Sequence, residues 1–124
     1  MMLSDAEFFT SLAEKLISLG FLSNNELDSC LEELGGIQMV ISEGYYIVAC
    51  EYIAREIPMN KSSQEVLIFL KENKEFIMQH EDFMYYFVEA LLDRMFAMGN
   101  EVLPIIAAAP ESYQQFLRRR FLGE

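Results

Sequence analysis

The sequence predicts an all-α protein, a single bundle of five or six helices spanning residues 1–124. Three observations carry that expectation. Ser4-x-x-Glu7, Ser23-x-x-Glu26 and Ser62-x-x-Glu65 each match a capping box, in which a serine hydroxyl and a glutamate carboxylate satisfy each other's free backbone N–H groups. Each box stands ahead of an apolar pattern of helical period. The composition, 52% apolar and 23% charged, is that of a chain that buries a core, and 124 residues suffice for one domain without disulfide staples.

The first helix is expected over about residues 5–19, with Phe8, Phe9, Leu12, Leu16 and Leu19 inward and Gly20 as its left-handed stop. "GFLSNNEL" turns straight into a second helix that ends near Leu34, where Gly35 and Gly36 break it. So short a link predicts an antiparallel or steeply crossed pair. Leu3 with Phe8, and Leu22 with Leu27, can straddle the first two caps as hydrophobic staples.

Residues 37–57 support two readings. "GIQMVISEGYYIVACEYIAREIP" fits one long buried helix, helped by Gln38/Ser42 and Glu51/Arg55 at i, i+4 and by "EYIAREI", helical up to Pro58. The same stretch fits a hairpin over about 37–53 turning at Glu43-Gly44, since Ile, Val and Tyr favour strands. The helix is preferred, because two strands alone are seldom stable. A fourth helix follows over about 63–78, with Val66, Phe69, Leu70 and Ile77 inward. A fifth covers about 81–98, with Phe83, Phe87, Leu91 and Phe96 inward and Gly99-Asn100 as its stop. A short piece at 103–108 leads to Pro110, a residue suited to a first helical position, and a last helix runs to Leu122 before Gly123.

The formal net charge is −11. That excludes general nucleic-acid binding, which needs basic surface to displace counterions, and disfavours anionic membrane surfaces. It suits a basic protein partner. Acid is concentrated at the front: residues 1–57 carry ten acids and two bases, whereas 111–124 carry two acids and three bases. "MMLSDAEFF" lacks the basic and apolar regions of a signal peptide, and no apolar run has the ~20 residues of a membrane span. A cytoplasmic protein is expected. Cys30 and Cys50 make neither a metal motif nor a disulfide framework and are expected as buried free thiols.

Chemical motifs are sparse, and no catalytic, cofactor or metal site is expected. His80 is the single histidine, and neighbouring Glu81 and Asp82 point in other directions on a helix. A helix-start role is the expectation for "QHEDF". Glu89 and Asp93 stand four apart, but a di-iron bundle needs further histidines and Arg94 beside them favours a salt-bridging face. Cys50 as a nucleophile has only His80 to call on as base.

Arg118, Arg119 and Arg120 raise a different question, being a third of the nine cations in one tripeptide. In a last helical turn they complement the negative helix end. Consecutive residues lie ~100° apart around a helix, so two are expected to pair with the acidic body and one to face solvent. The alternative is an arginine-rich docking tip with Phe116, Leu117, Phe121 and Leu122, residue types that dominate interfaces. Tyr85 and Tyr86 belong to an unbroken apolar run, Phe83 to Val88, which is central to the core or shared with a neighbour. Candidate partner-binding residues are therefore Tyr85, Tyr86, Arg118, Arg119, Arg120 and Phe121.

The function expected from these features is a non-enzymatic cytosolic protein-binding module: an adaptor, a chaperone-like protein, or an antitoxin- or immunity-like inhibitor of a basic partner. Two alternatives stand beside it. One is a small-ligand sensor or enzyme with a pocket among Tyr45, Tyr46, Tyr52 and Tyr85, and the other is a structural homodimer built on the fifth helix.

Overall fold

A computed structural model describes residues 3–124, except that the side chains of residues 81–84 lie outside the description. The protein is all-α, with nine α-helices and no strand among the described residues. They are α1 (Asp5–Ser18), α2 (Asn24–Glu32), α3 (Ile37–Glu43), α4 (Tyr46–Asn60), α5 (Ser63–Glu72), α6 (Lys74–Ile77), α7 (Glu81–Ala97), α8 (Leu103–Ala108) and α9 (Glu111–Leu122). A 3-10 turn, Met78–His80, joins α6 to α7.

All three capping boxes form as the spacing predicts. Ser4, Ser23 and Ser62 accept from the N–H of Glu7, Glu26 and Glu65 at 3.1–3.2 Å, and the glutamates accept in return. The fold exceeds five or six helices because two predicted helices are divided. Residues 37–57 are helical, not a hairpin, but Gly44 adopts a left-handed conformation at φ 68° and ends α3. The predicted fourth helix breaks at Asn73, which caps α5 by donating from its side chain to the Phe69 carbonyl.

The helix pair α4 and α7 forms the centre. α4 contributes Ala49, Cys50, Ile53, Ala54 and Ile57, and α7 contributes Phe87, Val88, Leu91, Leu92 and Met95, all at most 1% exposed. Small and large side chains of the two helices join one core cluster. α1 and α2 both pack on α4. α8 packs against α5.

Two positions depart from the predicted inner faces. Leu19 lies in the turn after α1 and is 48% exposed. Phe96 is 57% exposed, because it stands five residues past Leu91 and so ~140° round the helix; Met95 takes the inner place. Phe83, also assigned inward, lies outside the described side chains. α4 continues two residues beyond Pro58, whose ring is buried. Burial of the ring offsets the hydrogen bond that the Ala54 carbonyl forgoes. Pro110 is the N-cap of α9 rather than its first helical residue.

Candidate functional site

Among the exposed apolar side chains of the described residues, two groups stand together on neighbouring elements. The first lies where α9 runs beside α7, and it contains every residue singled out for partner binding. The two helices run parallel: Tyr85 meets Tyr113 and Phe116 near their starts, with ring centroids 5.4 and 5.1 Å apart, and Phe96 meets Phe121 at 6.2 Å near their ends. Tyr85 also packs edge-on to Tyr86 at 5.3 Å. Its hydroxyl donates to Glu89 at 3.0 Å. Burial and that bond to a carboxylate push the phenol well above its usual range.

The arginine triplet divides three ways, and one of the three, not two, pairs with the acidic body. Arg120 donates to Asp93 of α7 at 2.8 Å, and its guanidinium lies over the Phe121 ring at 4.9 Å. Arg118 pairs with Glu124 at 3.1 Å. Arg119 is exposed, with no ion pair among the described residues. The internal contacts of Tyr85, Arg118, Arg120 and Phe121 anchor α9 to α7 and to its own end. Tyr86 and Arg119 are left facing outward, joined by Phe96 and by Phe116, the latter 50% exposed. Glu89 and Asp93 serve a tyrosine and an arginine, and each has its own partner.

The second surface is α3 and the start of α4. α3 buries Val40 alone; Ile37 (42%), Met39 (41%), Ile41 (53%), Tyr45 (40%) and Val48 (38%) are exposed. Ile37 and Ile41, four apart, share one side of the helix. Along the chain the neighbouring charge is of one sign, since residues 24–48 contain five acids and no base. Asp28, Glu32, Glu33 and Glu43 of this stretch are exposed. Glu26 is instead drawn inward, holding the Asn60 side chain at 2.9–3.0 Å. The turn that places α3 depends on Gly35, whose φ is +93° and whose missing Cβ would lie 3.1 Å from Met39. Sequence reasoning marked the acidity of residues 1–57 but not Ile37, Met39, Ile41 and Val48. The available signal was the seven-residue interval between Gly36 and Gly44, too short to turn four apolar residues inward.

Elsewhere the polar groups are spoken for. His80 contacts Asp5 at 2.6 Å and lies against the Phe8 ring, joining the start of α1 to the start of α7. It is the N-cap residue of α7, but its ring makes no cap bond; the helix-start assignment holds for position and not for side-chain role. Glu81 and Asp82, its proposed companions at a metal, lie outside the described side chains. Among the described residues no three His, Cys, Asp or Glu side chains gather as a metal site. Burial, with the charges of Glu56, Glu33 and Glu26, raises the Cys30 thiol to about 11, and burial, with the Glu51 charge, raises the Cys50 thiol well above its ordinary value. Neither sulfur is a thiolate at neutral pH.

The four tyrosines proposed as a pocket occupy four separate settings. Tyr45 is exposed at the head of α4, Tyr46 packs on Phe9, Tyr85 joins the α9 rings, and Tyr52 lies beneath Arg55. Tyr52 does line a cleft of about 280 Å³ between α2, α4 and α7, together with Cys30, Glu33, Arg55, Glu56 and Arg94. Its two cations face two carboxylates, so the lining carries no net charge to draw an ion. No helix among the described residues is long and apolar enough to cross a membrane. No protein-family model, curated protein or solved structure matches the chain.

Proposed function

We propose that this chain is a non-enzymatic protein-binding module that docks a basic partner in the cytosol. One observation carries the reading: exposed apolar side chains of α3 and early α4 lie in a stretch with five acids and no base. Exposed apolar area of this kind marks interaction surfaces, and a one-signed surround speeds encounter with a partner of opposite sign and rejects others. The raised thiols and the separately engaged carboxylates support a binding role over a catalytic one.

The test is capture on immobilised protein from native lysate at low salt, with elution by about 0.5 M salt, where the Debye length falls to ~4 Å. The expected result is a discrete protein of net positive charge, retained by wild type and released by salt. Retention of no protein, with a large thermal shift from a metabolite, would sink this reading in favour of a ligand sensor. A second reading rests on the outward Tyr86, Phe96 and Phe116 of the α7–α9 edge, which fit a second copy of the chain. Light scattering decides it: a mass that doubles with concentration, and no longer does so in Phe96→Ser, assigns that edge to a homodimer.

A further inference from the structure

We propose that the α3 face receives a basic amphipathic α-helix from its partner, with apolar anchors seated on Ile37, Ile41 and Tyr45 and cations over the acids of α2. The inference rests on the protein-binding reading above and specifies the shape and charge of what binds.

Three observations select this occupant. The first is the absence of a template for an extended peptide. Strand addition needs an exposed sheet edge, and the described residues contain no strand. The α3 and α4 backbones are closed on themselves through the intervening turn, where the Tyr45 N–H donates to the Val40 carbonyl and the Ala49 N–H to the Tyr45 carbonyl. A peptide strand therefore has no edge to join here, and a side-chain surface of this kind suits an amphipathic helix laid along it.

The second is length. α3 has seven residues, and at 1.5 Å per residue it is about 10 Å long. The i, i+4 and i+7 anchors of a partner helix extend over about the same distance. A larger folded surface needs ~800 Å² on each side, more than a helix of two turns offers by itself.

The third is charge complementarity. Asp28, Glu32 and Glu43 are exposed on α2 and α3, Glu33 being shared with the cleft that holds Arg55 and Arg94, and no Lys or Arg occurs between residues 24 and 48. A helix with Lys or Arg flanking its apolar stripe neutralises that surface, while an acidic one meets repulsion. Exposed Met39 supplies an unbranched side chain that adapts to differing anchors. The positive-φ glycines on both sides, Gly36 and Gly44, set α3 apart as a separately placed unit.

The experiment uses the full chain and a fluorescent peptide of about 16 residues, made of Leu and Lys in helical period. Two control peptides accompany it: one with Glu for every Lys, and one with the same Leu and Lys in an order that gives no helical face. Binding is read by anisotropy at low and high salt. The patterned Leu/Lys peptide is expected to bind at least tenfold more tightly than either control and to weaken with salt. Ile37→Ser with Ile41→Ser, shown folded by circular dichroism, is expected to lose at least tenfold in affinity, and Phe116→Ser less than twofold. Equal binding of the patterned and unpatterned peptides, or of the Lys and Glu peptides, would refute the inference, as would failure of all three to bind. Loss through Phe116→Ser with none through the α3 pair would refute it too, while leaving the protein-binding reading intact at the α7–α9 edge. A failure of the reading itself appears separately, as an empty capture from lysate.

Discussion

Helices α7 and α3 are both rich in apolar residues, and the bundle uses them in opposite ways. α7 has seventeen residues and turns Phe87, Val88, Ala90, Leu91, Leu92 and Met95 into the core. α3 has seven, four of them apolar, and buries Val40 alone. Composition does not separate the two; length and a facing partner do. α7 lies along α4 for several turns, so successive inner residues find neighbours. α3 is shorter than the ~12 residues at which even favourable isolated helices become marginal in water. It is held in place by one buried side chain and by the turns at its ends.

The sharpest way to break this contrast is to remove a large side chain from the centre. Leu91→Ala empties a fully buried site against α4 and is expected to cost about 2–5 kcal/mol. That is a large part of the stability of a domain this size. Denaturant unfolding followed by circular dichroism measures it. A loss below about 1 kcal/mol would mean that α4 and α7 are not the centre of the core.

The turns around α3 come next. Gly44 holds φ 68°, with open space where a Cβ would stand, so Gly44→Ala pays a backbone penalty alone, about 1–2 kcal/mol. Gly35→Ala adds a clash at 3.1 Å with Met39 to a φ of +93° and is expected to cost more. Equal costs in the two unfolding curves would show that Met39 moves aside freely and that the α2–α3 turn is not tightly built.

These elements also show how far the sequence could be read. Ser4, Ser23 and Ser62 announce their helices because a cap is a local device: the hydroxyl and the carboxylate that satisfy it stand three residues apart. Helix type over residues 37–57 was legible for a similar reason, through the i, i+4 pairing of Glu51 and Arg55. The turn at Gly44 was legible only within the hairpin reading; the preferred single helix ran through it, since a glycine in an apolar run is tolerated in a helix. Among the proposed site residues, the differing directions of Arg118–Arg120 followed from ~100° per residue, but the pairing of Arg118 with Glu124 instead of the acidic body did not. Asp93 as the partner of Arg120 did not, because it depends on α9 lying parallel to α7. Tyr85 was marked for its apolar neighbours; its tie to Glu89 is local, at i, i+4, and was open to the same reasoning. The α3 face is legible only as a failure of burial, which requires the fold.

A smaller effect is expected at the cap of α2. Ser23→Ala removes the acceptor for the Glu26 N–H and is expected to cost about 1 kcal/mol. Glu26 itself adds a pH dependence. Partial burial works to raise its pKa, but the bonds from Asn60 and Ser23 prevail and hold it below the usual 4.5. The folded chain thus takes up this proton less readily than the unfolded one. The contribution is full above about pH 4.5 and fades as pH falls through the lowered folded value. The stability gap between wild type and Glu26→Gln is expected to narrow on going from pH 7 to pH 3. A gap that widens would show that Glu26 is destabilising in its ionised form.

The smallest effect is also the one that separates α3 most cleanly from the core. Ile41 is 53% exposed, so Ile41→Ser returns little apolar area to water on folding. Isoleucine and serine have similar helix propensities, and the position is neither a cap nor a glycine turn. A change in stability within about 0.5 kcal/mol is expected, as for ordinary surface substitutions. The matching change inside the bundle, Ile53→Ser, leaves a hydroxyl and a cavity at a site with 0% exposure and is expected to cost several-fold more than any surface change. If Ile41→Ser instead destabilised the chain by 2 kcal/mol or so, the isoleucine would be holding α3 against α2 or α4. Its side chain would then be part of the core and no longer available to a partner. A near-zero cost leaves Ile41 with no part in folding, as the proposed partner site requires.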